Sequence, residues 1–378
     1  MPPWAPRSRS IKPNDISVSE ISRWEELGAV RDEWNELLAS GLGDTPFLRH
    51  EWLENWWRHF GAGRRLAVLL ARREGRLLAA LPLMEQRERL HGIPVTTLRS
   101  ITNRHSYRYN ALCAPGGEAG LEAIWGHLAG RARPWQALIL EEIPADASLL
   151  DPLLRAAERA RAPVGVWRGG EVPFLTIEGT WEHYHAALSQ KFRANLRRRR
   201  NQLRENGEVS YRCVAAPGDV PEALRAGLKL EGSGWKDQAG SSIVSDPTLV
   251  SFYETWAKIA AANDWLRLSF LDVGGVPAAF DYSTHYHGRT YNMKIGYDPA
   301  WERFSVGQLL KEDILRHCFE REVREYDFLG ISTVSKEDWK PKKRAHDWHF
   351  VYAPTLLGRL LHFVKFTVVP ALKRRGTR

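Results

Sequence analysis

LRLSFLDVGGVPAAFDYSTHYHGRTYNMKIGYDPAWERFSVGQLLKEDILRHCFEREVREYDFLG, residues Leu266–Gly330, is the stretch that decides the fold. Two glycine-containing joints divide its first half into three apolar, β-rich runs: Leu266–Val273, Val276–Tyr286 and Thr290–Tyr297. Glycine supplies the positive φ that tight hairpins need, so Gly274-Gly275 and His287-Gly288 predict an antiparallel meander. A helix of about four turns and a strand ending in Gly330 are predicted to follow.

The first turn of that predicted helix contains Ser305, Val306, Gly307 and Gln308. The start of a helix exposes backbone N–H groups, and the helix dipole favours an anion at the same end. We therefore predict that these four residues bind the phosphates of a ligand.

The composition predicts a folded, two-domain protein with an anionic partner and without disulfides. A length of 378 residues suggests about two domains. A hydrophobic content of 43% is enough for a sizeable core, and a net charge of +9 fits a partner rich in phosphates or carboxylates. The cysteines, Cys113, Cys213 and Cys318, are far apart and form no CxxC pair. This spacing argues against a disulfide framework or a zinc site, so we predict no metal and a reducing compartment.

The two ends of the chain differ in character. Residues 1–15 are rich in Pro, Arg and Ser and are predicted to be a disordered arm. Neither a secretory signal nor a spanning helix is predicted, so we expect a cytoplasmic protein. Residues 356–378 combine an apolar face with a basic end, which is typical of an amphipathic helix lying on the inner face of a membrane. Packing of this helix on its own domain is an equal alternative.

The order of predicted elements repeats along the chain. Helices, a hairpin around Glu74-Gly75, further strands, a helix at Gly120–Ala132 and a strand at Gln136–Glu142 make up the first half. The second half follows the same order, which indicates duplication of one α/β unit. We predict an N-terminal domain over residues 16–178, a C-terminal domain over 179–355 and the basic helix over 356–378.

An arginine-rich helix is predicted from Thr180 to Gly207, and it contains the run Arg197–Arg200. One interpretation is a docking surface for the phosphates of a nucleotide-bearing cofactor, a lipid headgroup or a transfer RNA. The alternative is a solvated, salt-bridged helix face. Under the first interpretation, Arg197 and Arg200 bind substrate.

The region from Thr180 to Lys342 resembles a known family. The matching pieces are KFRANLRRRRNQL, LEGSGWKDQAGSSIVSDPTLVSFY, GVPAAFDYSTHYHGRTYNMKIGYDPAWERFSVGQLLKEDIL and the late KEDWK. In order and spacing they resemble the acyltransferases of the GNAT superfamily labelled CelD-like or BioF2-like, which are related to the Fem peptidyl transferases. The chain has Ser305-Val306-Gly307 where that family typically has Ser-Pro-Gly.

The resemblance implies an α/β fold of two tandem GNAT-like units, each a mixed, mostly antiparallel sheet flanked by helices. It also implies transfer of an acyl group from acyl-CoA to an amine by direct attack, without a metal. The acceptor would be a small molecule, an amino sugar or an envelope or polysaccharide precursor. Two alternatives remain: Fem-like transfer from aminoacyl-tRNA, and a non-catalytic module of polysaccharide synthesis at the membrane. No GxSxG elbow or phosphate-binding P-loop motif is present.

Three residues are candidates for proton transfer. Glu231, near a predicted helix end, could orient the acceptor amine or act as base, or it could be a surface residue. Asp281 lies in an apolar strand, where an acid is unusual unless it is paired or functional. Tyr291 could protonate the leaving thiolate, with a place in the core as the alternative.

The remaining candidates bind ligands. Lys294 could hold a phosphate or pair with Asp281. Lys340 and Trp339 belong to the late KEDWK element and could close over the donor, together with Lys336. Trp235 and Lys236 follow Glu231 and are predicted to contact the acceptor.

Overall fold

The computed structural model describes residues 15–41, 43–233, 242–321 and 323–376. The predicted N-terminal arm, apart from Asp15, and the candidates Trp235 and Lys236 therefore lie outside the described residues. The chain divides into two compact units, here called unit 1 and unit 2. Unit 1 comprises Met1–Leu53, Gly61–Gly169 and Asp347–Arg378, and unit 2 comprises Glu54–Phe60 and Gly170–His346.

Unit 1 is an α/β unit built on a mixed sheet. Its elements up to residue 169 are β1 (Ile16–Ile21), α1 (Trp24–Gly28), α2 (Arg31–Ser40), the start of α3 (His50–Phe60), β2 (Arg65–Arg73), β3 (Arg76–Leu90), β4 (Ile93–Ser100), β5 (Leu112–Cys113), α4 (Glu118–Ala129), β6 (Ala137–Pro144), α5 (Asp151–Arg159) and the start of β7 (Val164–Thr176). Strands β1 to β4 pair antiparallel in chain order, and β4 pairs with β6 in parallel.

Unit 2 repeats this plan. Its elements after β7 are α6 (Trp181–Ala187), α7 (Gln190–Arg204), β8 (Val209–Val214), α8 (Val220–Gly232), α9 (Pro247–Ala262), β9 (Leu266–Val273), β10 (Val276–Tyr286), β11 (Arg289–Tyr297), α10 (Val306–Glu320), β12 (Glu325–Asp327), α11 (Val334–Glu337) and β13 (Lys342–Tyr352), which ends in unit 1. Strands β8 to β11 pair antiparallel in chain order, and β11 pairs with β12 in parallel.

The C-terminal segment of unit 1 is helical. It consists of α12 (Leu356–Phe363), a π-helical segment at Val364–Val368 and α13 (Val369–Gly376). Among the described residues, no helix is both long enough and apolar enough to cross a membrane.

The two units share one order of strands and one pattern of pairing, which confirms the predicted duplication. In each unit, four antiparallel strands are followed by a helix and then by a strand parallel to the fourth. The predicted meander is also confirmed, with one residue added before Thr290. Its turns have positive φ at Gly274, Gly275, His287 and Gly288, as tight hairpins require.

Several predicted boundaries were wrong. The helix predicted from Thr180 to Gly207 is two helices, because the Ser189 side chain caps a new one by accepting from the Phe192 N–H at 3.2 Å. The strand predicted to end in Gly330 ends at Asp327, since Leu329 and Gly330 have φ of 47° and 58° and turn the chain.

Two other segments bear on the boundaries of elements. The stretch Trp24–Ser40 forms two helices, α1 and α2. The glycine pair Gly169-Gly170 lies within the continuous β7. Glycine weakens a strand without necessarily ending it.

A close approach between α8 and β11 fixes the end of α8. A β-carbon built on Gly296 would lie 2.5 Å from Glu231 Cα and 2.7 Å from the Leu230 carbonyl carbon. Both neighbours are backbone atoms, which move only if the helix moves. Glycine at position 296 therefore lets the backbone of Glu231 rest directly on the strand.

We expect Gly296→Ala to destabilise the protein by about 1–3 kcal/mol, because the added methyl group overpacks a backbone contact. Denaturant unfolding followed by circular dichroism measures the effect. Gly126→Ala is the control, since Gly126 lies in α4 with no atom within 4 Å of the added β-carbon. Equal stabilities of the two variants would contradict the close approach at Gly296.

Candidate functional site

The parallel strands β11 and β12 form a fork. Their pairing covers three residues and ends at Tyr291 and Asp327, whereas β11 continues to Tyr297. After β12, the positive φ angles of Leu329 and Gly330 redirect the chain. We call the region where this pairing ends the fork, and it lies at one end of α10, the helix that links the two strands.

A buried ion pair lies at the fork. Asp281, on β10, is 1% exposed and accepts from Lys311 Nζ at 2.9 Å and from Asn292 Nδ2 at 2.7 Å. Ser283 also donates to this carboxylate. Lys311 further donates to Asn292 Oδ1 at 3.1 Å and to the Tyr326 hydroxyl. The network therefore joins β10, β11 and β12 to α10 through hydrogen-bonded side chains.

The partner of Asp281 is Lys311. The pair between Asp281 and Lys294, which was a predicted alternative, does not form. Lys294 lies beside Tyr282 in the register, and its Nζ is 5.4 Å from the Tyr253 ring centroid. Lys311 was missed, although it is three, four and seven residues before the buried Ile314, Leu315 and Cys318. A lysine on the apolar face of a helix is the signal that could have identified it.

The first turn of α10, where an anion site is predicted, is open on one side. Ser305 precedes the helix with φ of 51°, and its side chain makes no capping hydrogen bond. A β-carbon on Gly307 would meet no atom within 4 Å, so this turn faces open space, whereas Val306 is buried. The Ser305 N–H donates to the Glu302 carbonyl at 2.8 Å and the Gln308 N–H donates to the Ser305 carbonyl at 2.8 Å, so within this turn the N–H groups of Val306 and Gly307 are the ones that fit a phosphate group.

Two predicted ligand-binding residues contact each other beside that turn. Gln308 donates to the Ser335 carbonyl at 2.8 Å and accepts from Trp339 Nε1 at 2.7 Å. Trp339 is fully buried and packs edge-on against Phe192, with ring centroids 5.0 Å apart. These bonds hold the segment around α11 against the start of α10. Lys340 is exposed and donates to the Ala187 carbonyl at 2.6 Å.

Lys336 places a second cation near the fork. Its Nζ donates to the carbonyl oxygens of Leu329 at 2.6 Å and Ile331 at 2.9 Å, just beyond β12. Burial and the positive charge of Lys311 lower the pKa of Lys336 to about 8, partly offset by Asp327. A lysine with a pKa of about 8 exchanges protons more readily near neutral pH than an ordinary lysine does.

The arginine-rich helix α7 contains an arginine in salt bridges, Arg200, and an exposed arginine, Arg197. Arg200 donates to Asp313 Oδ1 at 2.9 Å, to Glu312 Oε2 at 2.8 Å and to the Leu309 carbonyl, so it joins α7 to α10. Burial would lower the pKa of Arg200, but the two carboxylates raise it overall. Arg197, in contrast, is exposed. The salt-bridged alternative thus describes Arg200, and phosphate binding by Arg197 stays a prediction.

The two candidate acids lie on opposite faces of the sheet in unit 2. Asp281 faces α10 through Lys311, whereas the adjacent Tyr282 donates to the Tyr253 carbonyl of α9. Glu231 belongs to α8 on the side of α9, is 2% exposed, and accepts from the Ile243 N–H at 2.7 Å. They therefore cannot act as one catalytic pair of carboxylates.

Tyr291 is the third candidate for proton transfer. It is buried in β11, opposite Thr284 of β10 and Asp327 of β12. It therefore lies at the fork, and its catalytic role stays a prediction, as does that of Glu231.

A cavity of about 240 Å³ lies between the sheet and the far end of α10. Its lining is part polar and part apolar and includes Tyr211, Cys213, Arg267, Ser269, Ser283, His285, Thr290, Ile314, His317, Cys318, Arg321 and Val323. Burial raises the pKa of Cys318 to about 12, so this thiol is a poor nucleophile. Because the cavity is lined by the C-terminal part of α10, it is separate from the first turn of that helix.

We expect Lys311→Met to destabilise the protein by about 3–5 kcal/mol, because the substitution leaves the Asp281 carboxylate buried without its cation. Chemical unfolding measures the loss. Lys258→Met on the exposed side of α9 is the matched control and should change stability by less than about 0.5 kcal/mol. A loss at Lys311 no larger than at Lys258 would show that the ion pair does not stabilise the fold.

Comparisons with known proteins agree with this geometry. The sequence profile of the family described as an acetyltransferase (GNAT) domain matches residues 190–341, which contain α7 to α11 and the fork. No functionally curated protein matches the sequence significantly.

Solved structures resemble the chain over most of its length. The crystal structure of FemX covers 88% of this chain and 96% of its own, with a TM-score of 0.58 and 9% identity. A conserved protein from Bacteroides thetaiotaomicron covers 89% and 99%, with a TM-score of 0.53 and 13% identity. The C-terminal domain of a protein assigned as a lysylphosphatidylglycerol synthetase from Agrobacterium fabrum covers 86% and 91%, with a TM-score of 0.52 and 12% identity.

At these identities the structural likeness shows the fold alone. The fold is α/β, with two tandem GNAT-like units as predicted. The predicted CelD-like or BioF2-like subfamily stays a prediction. Residues 190–341 of this chain thus match the family described as an acetyltransferase (GNAT) domain, and the chain as a whole shares its fold with FemX.

Proposed function

We propose that unit 2 transfers an acyl group from acyl-CoA to an amine of a small molecule, an amino sugar or an envelope or polysaccharide precursor. The observation that carries this proposal is the open first turn of α10 at Ser305–Gln308, beside a fork in the sheet. An anion site next to a fork can hold the phosphates of a nucleotide-bearing donor while the donor's thioester arm extends into the sheet.

Proximity and charge supply most of the proposed catalysis. The amine nitrogen forms a bond to the thioester carbonyl carbon, and the carbon–sulfur bond then breaks. Negative charge develops first on the carbonyl oxygen and then on the departing sulfur. The Lys336 ammonium, near the fork, would stabilise that charge.

Two protons must move during this reaction. Glu231 is the proposed acceptor of the proton lost by the amine, because it is a buried carboxylate whose backbone lies on β11 at Gly296. Tyr291, at the fork, is the proposed donor of a proton to the thiolate. In this scheme Asp281 is a positioning residue, since its carboxylate is engaged by Lys311, Asn292 and Ser283.

A second candidate donor is aminoacyl-tRNA. The exposed Arg197 and Arg198 of α7 could bind phosphates of a transfer RNA, and the fold resembles that of FemX. Thermal-shift titrations with acetyl-CoA, a long-chain acyl-CoA and an aminoacyl-tRNA separate the two donors. Stabilisation by the tRNA alone would replace the acyl-CoA proposal, and stabilisation by none of the three would favour the non-catalytic alternative.

We expect Gly307→Asp to weaken acyl-CoA binding at least tenfold, because a carboxylate at this turn repels phosphate. The protein should stay folded, since the position has space and an acid stabilises a helix start. Gly307→Asn is the matched neutral control and should retain most of the affinity. Isothermal titration calorimetry with acetyl-CoA measures both affinities. Equal affinities of the Asp and Asn variants would show that the phosphates do not bind at this turn.

We expect Glu231→Gln to lower kcat by about 10²–10⁴-fold while the dissociation constant for acyl-CoA stays unchanged. Glutamine keeps an oxygen that can accept from the Ile243 N–H, so the local structure is retained. The exposed Glu254→Gln on α9 is the control. Steady-state turnover and donor titration measure the two effects, and an unchanged kcat would exclude Glu231 as the base.

A further inference from the structure

The C-terminal helical run of unit 1 is fixed to its unit along one face. Leu361 is fully buried, and His362 Nε2 lies 3.1 Å from the Val164 carbonyl oxygen. Gly358 lies so close to the Ala353 carbonyl that a β-carbon there would collide with it. Phe366 also packs against the same apolar cluster. The inner face of the run is therefore a part of the core of unit 1.

The opposite face of this run is apolar and exposed. Leu356, Leu360, Phe363 and Leu372 are 88%, 48%, 53% and 61% exposed. Spacings of four and three residues place Leu356, Leu360 and Phe363 on one side of a helix. An exposed apolar stripe such as Leu356, Leu360 and Phe363 is costly to leave in water and marks an interaction surface. We call it the outer stripe.

The charged side chains of the C-terminal run itself have a single sign. Residues 356–378 contain no Asp or Glu, and their cationic side chains are Arg359, Lys365, Lys373, Arg374, Arg375 and Arg378. Lys365 is used within the unit, because its Nζ lies 4.4 Å from the Trp167 ring centroid. Arg359 and Arg374 are exposed beside the outer stripe. The surface therefore fits a partner that is apolar in its interior and anionic at its boundary.

We propose that the outer stripe binds the surface of an anionic lipid bilayer, with α12 and α13 lying in the membrane plane. The interface of such a bilayer takes up Leu and Phe side chains beneath a layer of negative headgroups, which attracts the arginines. A second copy of the chain would instead bring the arginines beside each outer stripe close to one another, and a nucleic acid would offer no apolar layer. This inference is independent of the proposed acyl transfer.

Flotation of the full-length chain with lipid vesicles tests the proposal. We expect binding to vesicles of phosphatidylcholine with 30% phosphatidylglycerol, and at least tenfold weaker binding to pure phosphatidylcholine, at about 0.1 M salt. Leu360→Ser with Phe363→Ser should weaken binding to the anionic vesicles by about tenfold or more. Arg359→Gln with Arg374→Gln should weaken it by about fivefold for each charge removed, an effect that high salt should abolish.

Val276→Ser is the matched control, because Val276 is 61% exposed on β10 of unit 2 and should not contribute. All the substituted side chains are exposed or half-exposed, so thermal unfolding should show folded variants. Equal binding of wild type and the Leu360/Phe363 variant would overturn the proposal. A wild-type dimer in analytical ultracentrifugation that this variant converts to monomer, without vesicle binding by either, would assign the outer stripe to a second copy and also overturn it.

Discussion

The ion pair between Asp281 and Lys311 is the interaction on which unit 2 depends. Its members are distant in sequence, and each would be costly to bury alone. Together with Asn292 and Tyr326 they connect β10, β11 and β12 to α10 at the fork. The pair therefore fixes α10 over the sheet. It also fixes the position of the first turn of that helix relative to the diverging strands β11 and β12.

The same network distinguishes the two units, although they share one topology. In β10 the stretch AAFDYS (278–283) carries the carboxylate and the serine, whereas the matching stretch of β3, AALPLM (79–84), is apolar. The family match over residues 190–341 also falls in unit 2. The two units thus share one sheet topology but differ in their charged groups, since in unit 1 Arg99 of β4 donates to Glu88 of β3 and to Glu141 of β6.

Local patterns predicted the parts of the fold that local physics determines. Glycine at the hairpin joints and alternation along the strands defined the meander, because positive φ and pleating act over a few residues. Asp281 was recognised as unusual, but its partner Lys311 was not. A side-chain pair between residues distant in sequence has only an indirect signal in the sequence, which here is one lysine among the apolar positions of a helix. Trp339 likewise needed the structure, which shows its indole bonded to Gln308 within the core.

The path of the chain between the units has a consequence for how the protein is made. Unit 2 takes residues 54–60 from the middle of α3, and unit 1 is completed only by residues 347–378. During synthesis, unit 1 must wait for the C-terminal helices, which emerge after every residue of unit 2. The half synthesised first is therefore the half completed last. Until then, the apolar surface that Leu361 and Phe366 cover in the folded unit lacks its partner and stays exposed on the nascent chain.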